Sequence, residues 1–245
     1  MLSFAVMSAI KTRIDRNLQQ VRQGVAEACA RRGRNPADVN IIAVTKSADM
    51  DAVKALLDLG VVDLGESKVQ DLTDRAAEVA QYLSHRRGGQ AVRWHMIGHL
   101  QRNKVRPVLE VAQVIHSIDS LRLAEEINAR AEKDARVVEV LLQVNSSGEA
   151  QKFGVAVGAA MHMGELIGTL KHLRLVGLMT MAAQSSRSED ARAPFARLRE
   201  VFEEMRHEKV GGDHFRHLSM GMSDDYPVAV EEGATLLRIG SALFK

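Results

Sequence analysis

Lys46 stands directly after Ile41-Ile42-Ala43-Val44-Thr45, an apolar run that reads as a buried strand. A lysine in that place has two readings. As a snorkelling side chain it carries its ammonium out to water. As a chemical group it is desolvated at the strand end, burial lowers its pKa, and it can form a Schiff base with a carbonyl. Further along, two apolar runs meet small residues: Leu218-Ser219-Met220-Gly221-Met222-Ser223-Asp224-Asp225 and Leu237-Arg238-Ile239-Gly240-Ser241. Small residues after a strand let backbone N–H groups approach an anion closely, so this pair of turns predicts a phosphate cup. Arg238 also has two readings. It either pairs with Glu231 or Glu232, or places a permanently charged donor beside Lys46.

Other candidates carry less chemistry. His95 and His99 have the i, i+4 spacing of a zinc pair, but that geometry needs a helix, and here Gly98 interrupts a strand-to-turn context. His214 and His217 flank a strand in the same way. No G-x-S-x-G, Walker or G-x-G-x-x-G pattern occurs, which leaves hydrolase, nucleotide and dinucleotide readings without support. Gly148 and Lys152 share a loop where the lysine either neutralises an anion or is simply solvated. The single cysteine, Cys29, excludes an internal disulfide and a cysteine metal cluster, and reads as a thiol packed on a helix.

The elements that must position these residues alternate. Ile10, Ile14, Leu18, Val21, Val25 and Cys29 form one apolar stripe of a long helix that Gly33 and Pro36 end. Strands are then predicted over 41–45, 61–64, 92–97, 114–118, 137–144, 173–179, 215–218 and 236–239. Helices are predicted over 51–59, from Ser67 to about Leu83, and over 103–111, 121–134, 157–170, 189–209 and 224–232. Eight strands alternating with helices predict a single α/β domain over 1–245, a (β/α)8 TIM barrel. The two small-residue turns then follow its seventh and eighth strands, where barrels commonly bind phosphate. With four residues after Ser241 there is no full eighth helix, and the extra N-terminal helix is expected to cover the gap. Arg86-Arg87-Gly88-Gly89 and Gln184–Ser188 read as surface loops, with Ser185–Glu189 as a helix cap and its lead-in.

Composition fits that frame. The 245 residues are 46% hydrophobic and only 4% aromatic, which calls for an aliphatic core. A formal charge of +2 and the lack of a basic block with interleaved aromatics give no reason to expect nucleic acid. The apolar opening Met1–Val6 lacks a basic flank and is short for a signal segment, and no run reaches the ~18 apolar residues of a membrane span. A soluble, cytoplasmic protein is expected, without nucleic acid or membrane as partner.

Ala43-Val44-Thr45-Lys46, Gly65-Glu66-Ser67-Lys68-Val69-Gln70, the run Trp94 to Lys104, Gly177-Leu178-Met179, Leu218–Asp225 and Arg238–Ser241 occur in order. From about residue 10 to 245 the chain thereby resembles the YggS/PROSC family of pyridoxal phosphate homeostasis proteins, which is similar to the barrel domain of alanine racemase. The resemblance implies that pyridoxal 5′-phosphate (PLP) is held as a Schiff base on Lys46. It implies Arg238 at the pyridine nitrogen and Ser219, Gly221, Gly240 and Ser241 at the phosphate. Ser67 and Met220 complete the implied cofactor set. Ser67 stands where the family usually has Asn, and Ala48 where many members carry a second lysine. The implied role is buffering or delivery of PLP, with apo PLP-dependent enzymes as acceptors and a monomer or weak dimer as the assembly. Efficient catalysis is not expected, because an arginine keeps the ring nitrogen neutral. Racemisation would also need a second acid/base on the opposite face, which four residues after Ser241 cannot build. The alternative is a PLP-dependent amino-acid racemase of low activity acting as a dimer. A barrel that only kept a phosphate site for protein interaction would leave Lys46 unexplained.

Overall fold

The computed structural model describes residues 2–84, 91–149, 151–182 and 187–245. The loop expected at 86–89, and most of that at 184–188, lie outside the described residues. In chain order the elements are α1 (Leu2–Arg31), β1 (Asn40–Val44), α2 (Met50–Asp58), β2 (Asp63–Glu66), α3 (Val69–Ser84), β3 (Arg93–Met96) and α4 (Val105–Leu109). There follow β4 (Val114–Ile118), α5 (Leu121–Lys133), β5 (Val138–Asn145), β6 (Val155–Ala156), α6 (Ala160–Gly168) and β7 (Leu173–Met179). The chain continues through α7 (Arg192–His207), β8 (His217–Ser219), α8 (Tyr226–Glu231), β9 (Leu236–Ile239) and α9 (Ser241–Phe244). Strands β1, β2, β3, β4, β5, β7, β8 and β9 pair in parallel in that order, and β9 returns to β1. The ring is a (β/α)8 TIM barrel. The two-residue β6 lies outside it, paired to the end of β5.

Alternation along the strands sorts the core into two compartments. Ile42, Val114, Leu141, Val176, Met179 and Leu236 pack together inside the ring. Ala43, Leu64, Val140, Leu142, Leu175 and Leu237 face the helical layer. Each fully buried Leu or Ile contributes about 1.5–3 kcal/mol, and the inner cluster draws on β1, β4, β5, β7 and β9. Gly177 is required where β7 meets β8, because a Cβ would stand 1.8 Å from the His217 carbonyl oxygen.

α1 packs against α2, α8 and α9, burying Ile14, Leu18, Val21, Val25, Ala28 and Cys29. It covers the place of the eighth helix, of which α9 is a single turn. At Gly24 a Cβ would meet the Tyr226 hydroxyl at 2.2 Å, so the crossing with α8 depends on glycine. Asn17 donates from Nδ2 to the carbonyls of Leu243 at 3.0 Å and Lys245 at 2.7 Å, capping the end of α9. Some boundaries differ from those the sequence predicts. β2 begins at Asp63, because Val61 is drawn back by its N–H bond to the Leu56 carbonyl at the end of α2. α4 is short because Arg102–Lys104 turn as a 3-10 segment. Among the described residues no helix is long and apolar enough to cross a membrane.

Candidate functional site

The C-terminal ends of the strands form the mouth where (β/α)8 barrels place chemistry. Ile42 lies inside the ring, so the alternation carries Val44 and Lys46 to the inward side in turn. Lys46 is exposed and follows the strand instead of closing it within the core. Of the two readings of its position, the desolvated one is not met and the solvent-reaching one is: the strand stops at Val44, and the Thr45-Ala48 turn lifts Lys46 into solvent. Its base is nonetheless rigid. Thr45 is fully buried and donates its hydroxyl to Glu66, while Arg75 of α3 donates to the Ala48 carbonyl at 2.8 Å. Glu66 is itself buried, its Oε2 has no hydrogen-bond partner among the described residues, and burial pushes its pKa up.

Arg238 enters the ring from β9, in register with Ile42 of β1. It is 4% exposed and donates from Nη1 to Ser219 Oγ at 2.6 Å and from Nη2 to the Thr180 carbonyl at 2.9 Å. Burial pushes its pKa down to about 10, against the pull of the nearby Asp225 carboxyl. The pairing with Glu231 or Glu232 is overturned. Those carboxylates bind Arg192 at 2.7 and 2.8 Å, with Arg31 and Arg199 completing a cluster that joins α1, α7 and α8 outside the ring. Arg238 forms no ion pair among the described residues, and its remaining N–H donors have no protein acceptor there.

The two small-residue turns are stitched together beside it. Ser223 Oγ accepts from the N–H groups of Gly240 at 3.3 Å and Ala242 at 3.1 Å, and the Gly221 carbonyl accepts from the Arg238 N–H at 3.0 Å. Asp225 Oδ1 accepts from Met222 N–H at 2.6 Å, and burial raises its pKa. Gly221 has φ +92°, and a Cβ there would lie 2.5 Å from the Ala229 Cβ. Gly240 is different, with its nearest obstacle at 3.5 Å. Ser241 is exposed at the start of α9. The backbone N–H groups of Gly221 and Ser241 have no acceptor among the described residues.

Other expected residues are placed less directly. Ser67 is half-buried after β2, its carbonyl packed so close to Gly98 that a Cβ there would meet it at 2.0 Å. Met220 is fully buried in the outer core and gives its N–H to the Leu236 carbonyl, so it braces the turn from behind. Ser219 is also fully buried, its hydroxyl lying between Arg238 and His116.

That last contact opens a network not foreseen from the sequence. His116 Nδ1 lies 2.9 Å from Ser219 Oγ, its Nε2 lies 2.9 Å from His95 Nδ1, and His95 Nε2 lies 2.8 Å from Asp63 Oδ1. Burial lowers the pKa of His95 and pushes that of His116 well down. The one available signal was parity, since each of these residues falls on the inward side of its strand. His99 parts from His95 and pairs with Asp119 at 3.1 Å, its ring stacked on Phe153. Lys152 pairs with Glu149 at 2.8 Å.

Residues 12–245 match the model of the family described as alanine racemase, N-terminal domain. A pyridoxal phosphate homeostasis protein of Pseudomonas aeruginosa is 38% identical over 231 residues, 94% of each chain. PipY of Synechococcus elongatus, solved with PLP bound, is 30% identical with a TM-score of 0.76, over 90% of this chain and all of that one. Alanine racemase of Clostridium difficile shares the fold at a TM-score of 0.71 and 14% identity, over 95% of this chain and 56% of that one. The chain belongs to the alanine racemase N-terminal domain family and, within it, to the YggS/PROSC pyridoxal phosphate homeostasis proteins.

Proposed function

We propose that this chain binds PLP and serves PLP homeostasis, holding the cofactor on Lys46 and giving it up intact, without efficient catalysis of its own. The carrying observation is Arg238: a buried guanidinium with no carboxylate partner and with unused donors among the described residues, on the strand paired to the one that Lys46 follows. Bound PLP supplies an electrophilic aldehyde on a ring whose nitrogen accepts a hydrogen bond. The donor set matches those demands. Lys46 Nζ is the amine for the aldehyde, Arg238 donates to the ring nitrogen, and Gly221, Gly240 and Ser241 receive the phosphate. β1 runs two residues past the level of Arg238, about 7 Å at ~3.3 Å per residue, before the turn that carries Lys46, so the two groups enter the mouth at different depths. Ser67 flanks the cofactor. We assign Ser219 and Met220 to supporting the site from below and behind, because both are buried and already bonded.

The same arginine argues against turnover. It cannot hand a proton to the ring nitrogen, which stays neutral and draws electrons weakly. Names given to relatives support the same role: the Pseudomonas protein is called a homeostasis protein, and PipY was solved with PLP. Apo PLP-dependent enzymes are the proposed acceptors and the cytoplasm the proposed location. Mixing the PLP-loaded protein with an apo PLP enzyme tests this, following recovered activity and Cα–H exchange in deuterated water. Transfer without exchange is expected. Exchange of a small amino acid at ordinary turnover, about 1–10³ per second, would overturn it in favour of a racemase.

A further inference from the structure

Asp63 of β2, His95 of β3, His116 of β4, Ser219 of β8 and Arg238 of β9 form one hydrogen-bonded row through the interior of the barrel. Counting protons fixes the direction of every bond. Arginine only donates, so Ser219 Oγ accepts from it. A carboxylate only accepts, so His95 Nε2–H donates to Asp63. A neutral imidazole has one donor and one acceptor, which makes His95 Nδ1 the acceptor of His116 Nε2–H. His116 Nδ1 is then an acceptor, and the Ser219 hydroxyl is its donor. Every bond points from Arg238 toward Asp63. Burial lowers the pKa of both imidazoles, in keeping with the neutral forms that the count requires. Arg93, Glu139 and His217 are the other titratable groups whose charges act on the row.

We propose that Asp63, His95 and His116 are positioning residues for Arg238: Asp63 fixes the tautomer of both histidines, and these hold the Ser219 hydroxyl as an acceptor turned to the guanidinium. The order of the row makes the far end decisive. An amide at position 63 can present its NH2 to His95 Nε2. His95 then donates from Nδ1, His116 accepts at Nε2 and donates from Nδ1, and Ser219 Oγ receives two donors. The Ser219 proton must turn out of the row, and the imidazole competes with Arg238 for one oxygen. Asp63 is 23% exposed at its side chain, so Asp63→Asn changes a hydrogen-bond pattern and little packing.

The inference rests on the PLP reading only for its last readout. Nitrogen-15 NMR of the full chain, labelled at histidine and arginine, reads the tautomers and the Arg238 N–H exchange without cofactor. Both histidines are expected to carry their proton on Nε2, to move it to Nδ1 in Asp63→Asn, and to keep it in Asp63→Glu. Arg238 N–H exchange should quicken by about tenfold in Asp63→Asn, and PLP affinity should fall about 3- to 10-fold, the range of one weakened hydrogen bond. An unchanged melting temperature would separate this from general loosening. A proton on His116 Nδ1 in the parent overturns the proposal, as does a tautomer swap that leaves Arg238 exchange unchanged. A parent chain that bound no PLP would sink the cofactor reading, while the NMR still decided the row.

Discussion

Lys46 and Arg238 come to the mouth from hydrogen-bonded neighbours, β1 and β9, in opposite states. Lys46 is exposed and its side chain bonds no described residue; Arg238 is 4% exposed and tied to Ser219 and Thr180. On the proposed reading Arg238 faces one ring atom, and a charge so placed gains from desolvation and fixed partners, because nothing has to reorganise when the ligand arrives. Lys46, which on the same reading captures and later releases the cofactor, has the reverse need. Its free side chain carries about 2 kcal/mol of rotamer entropy, and losing it on capture keeps the attachment reversible. One half of the site is built to stay and the other to move.

Removing the moving half has the largest expected effect. Lys46→Ala should abolish the visible-range absorption of the PLP-loaded protein after dialysis, with stability unchanged to within about 0.5 kcal/mol because the side chain is exposed. A band that persisted would assign the aldehyde to another amine. Removing the fixed half is milder for the spectrum and costs affinity instead. Arg238→Met should keep the band while PLP titration shows binding weakened about 10- to 100-fold, the worth of one charge-assisted hydrogen bond.

The phosphate turns sharpen the contrast between holding a ligand and holding the fold. Gly240→Ala has room for its methyl, so chemical denaturation should match the parent while PLP affinity drops about 3- to 10-fold through the lost close approach. Gly221→Ala meets the Ala229 Cβ and a left-handed φ, and should cost about 1–3 kcal/mol of stability. Equal PLP affinity in Gly240→Ala and the parent would place the phosphate elsewhere.

The smallest effect belongs to Glu66 behind Lys46. Burial raises its pKa above the unfolded value, so the folded state holds the proton longer, and its stability falls as pH climbs from about 4.5 through the raised pKa. Glu66→Gln cannot ionise. Its melting temperature should therefore improve relative to the parent between pH 4.5 and pH 8. A constant difference across that range would show that the carboxyl is already ionised without penalty.

Much of this was legible in the chain because the periodicities are strong. Alternating strands and helices led to the barrel, and Lys46 and the Gly221 and Gly240 turns stood out because strands end there. The state of each residue was not legible. Whether Lys46 is buried depends on where β1 stops, which the Thr45-Ala48 turn and Arg75 decide. The Asp63–His95–His116–Ser219 row escaped because its members are scattered singly over four strands. No local spacing announces them, and only the closed ring brings them together. The pairing of Glu231 and Glu232 with Arg192 was hidden likewise, since adjacency to Arg238 in sequence says nothing about which side of a strand faces which partner.

The seam that closes the ring joins β1 to β9, with Ile42 opposite Arg238. A ribosome delivers these strands at opposite ends of its task. At 5–20 residues per second, Lys46 emerges roughly 10–40 s before Arg238 and the turns that follow it. Throughout that interval the nascent chain presents Lys46 without Arg238, without the Gly240-Ser241 turn and without the closed β1–β9 seam. Such a lysine can meet the aldehyde only as any surface amine does, weakly and reversibly. On the proposed reading cofactor capture is thus tied to closing the β1–β9 seam, and a chain arrested before β9 lacks both Arg238 and the turn that follows it.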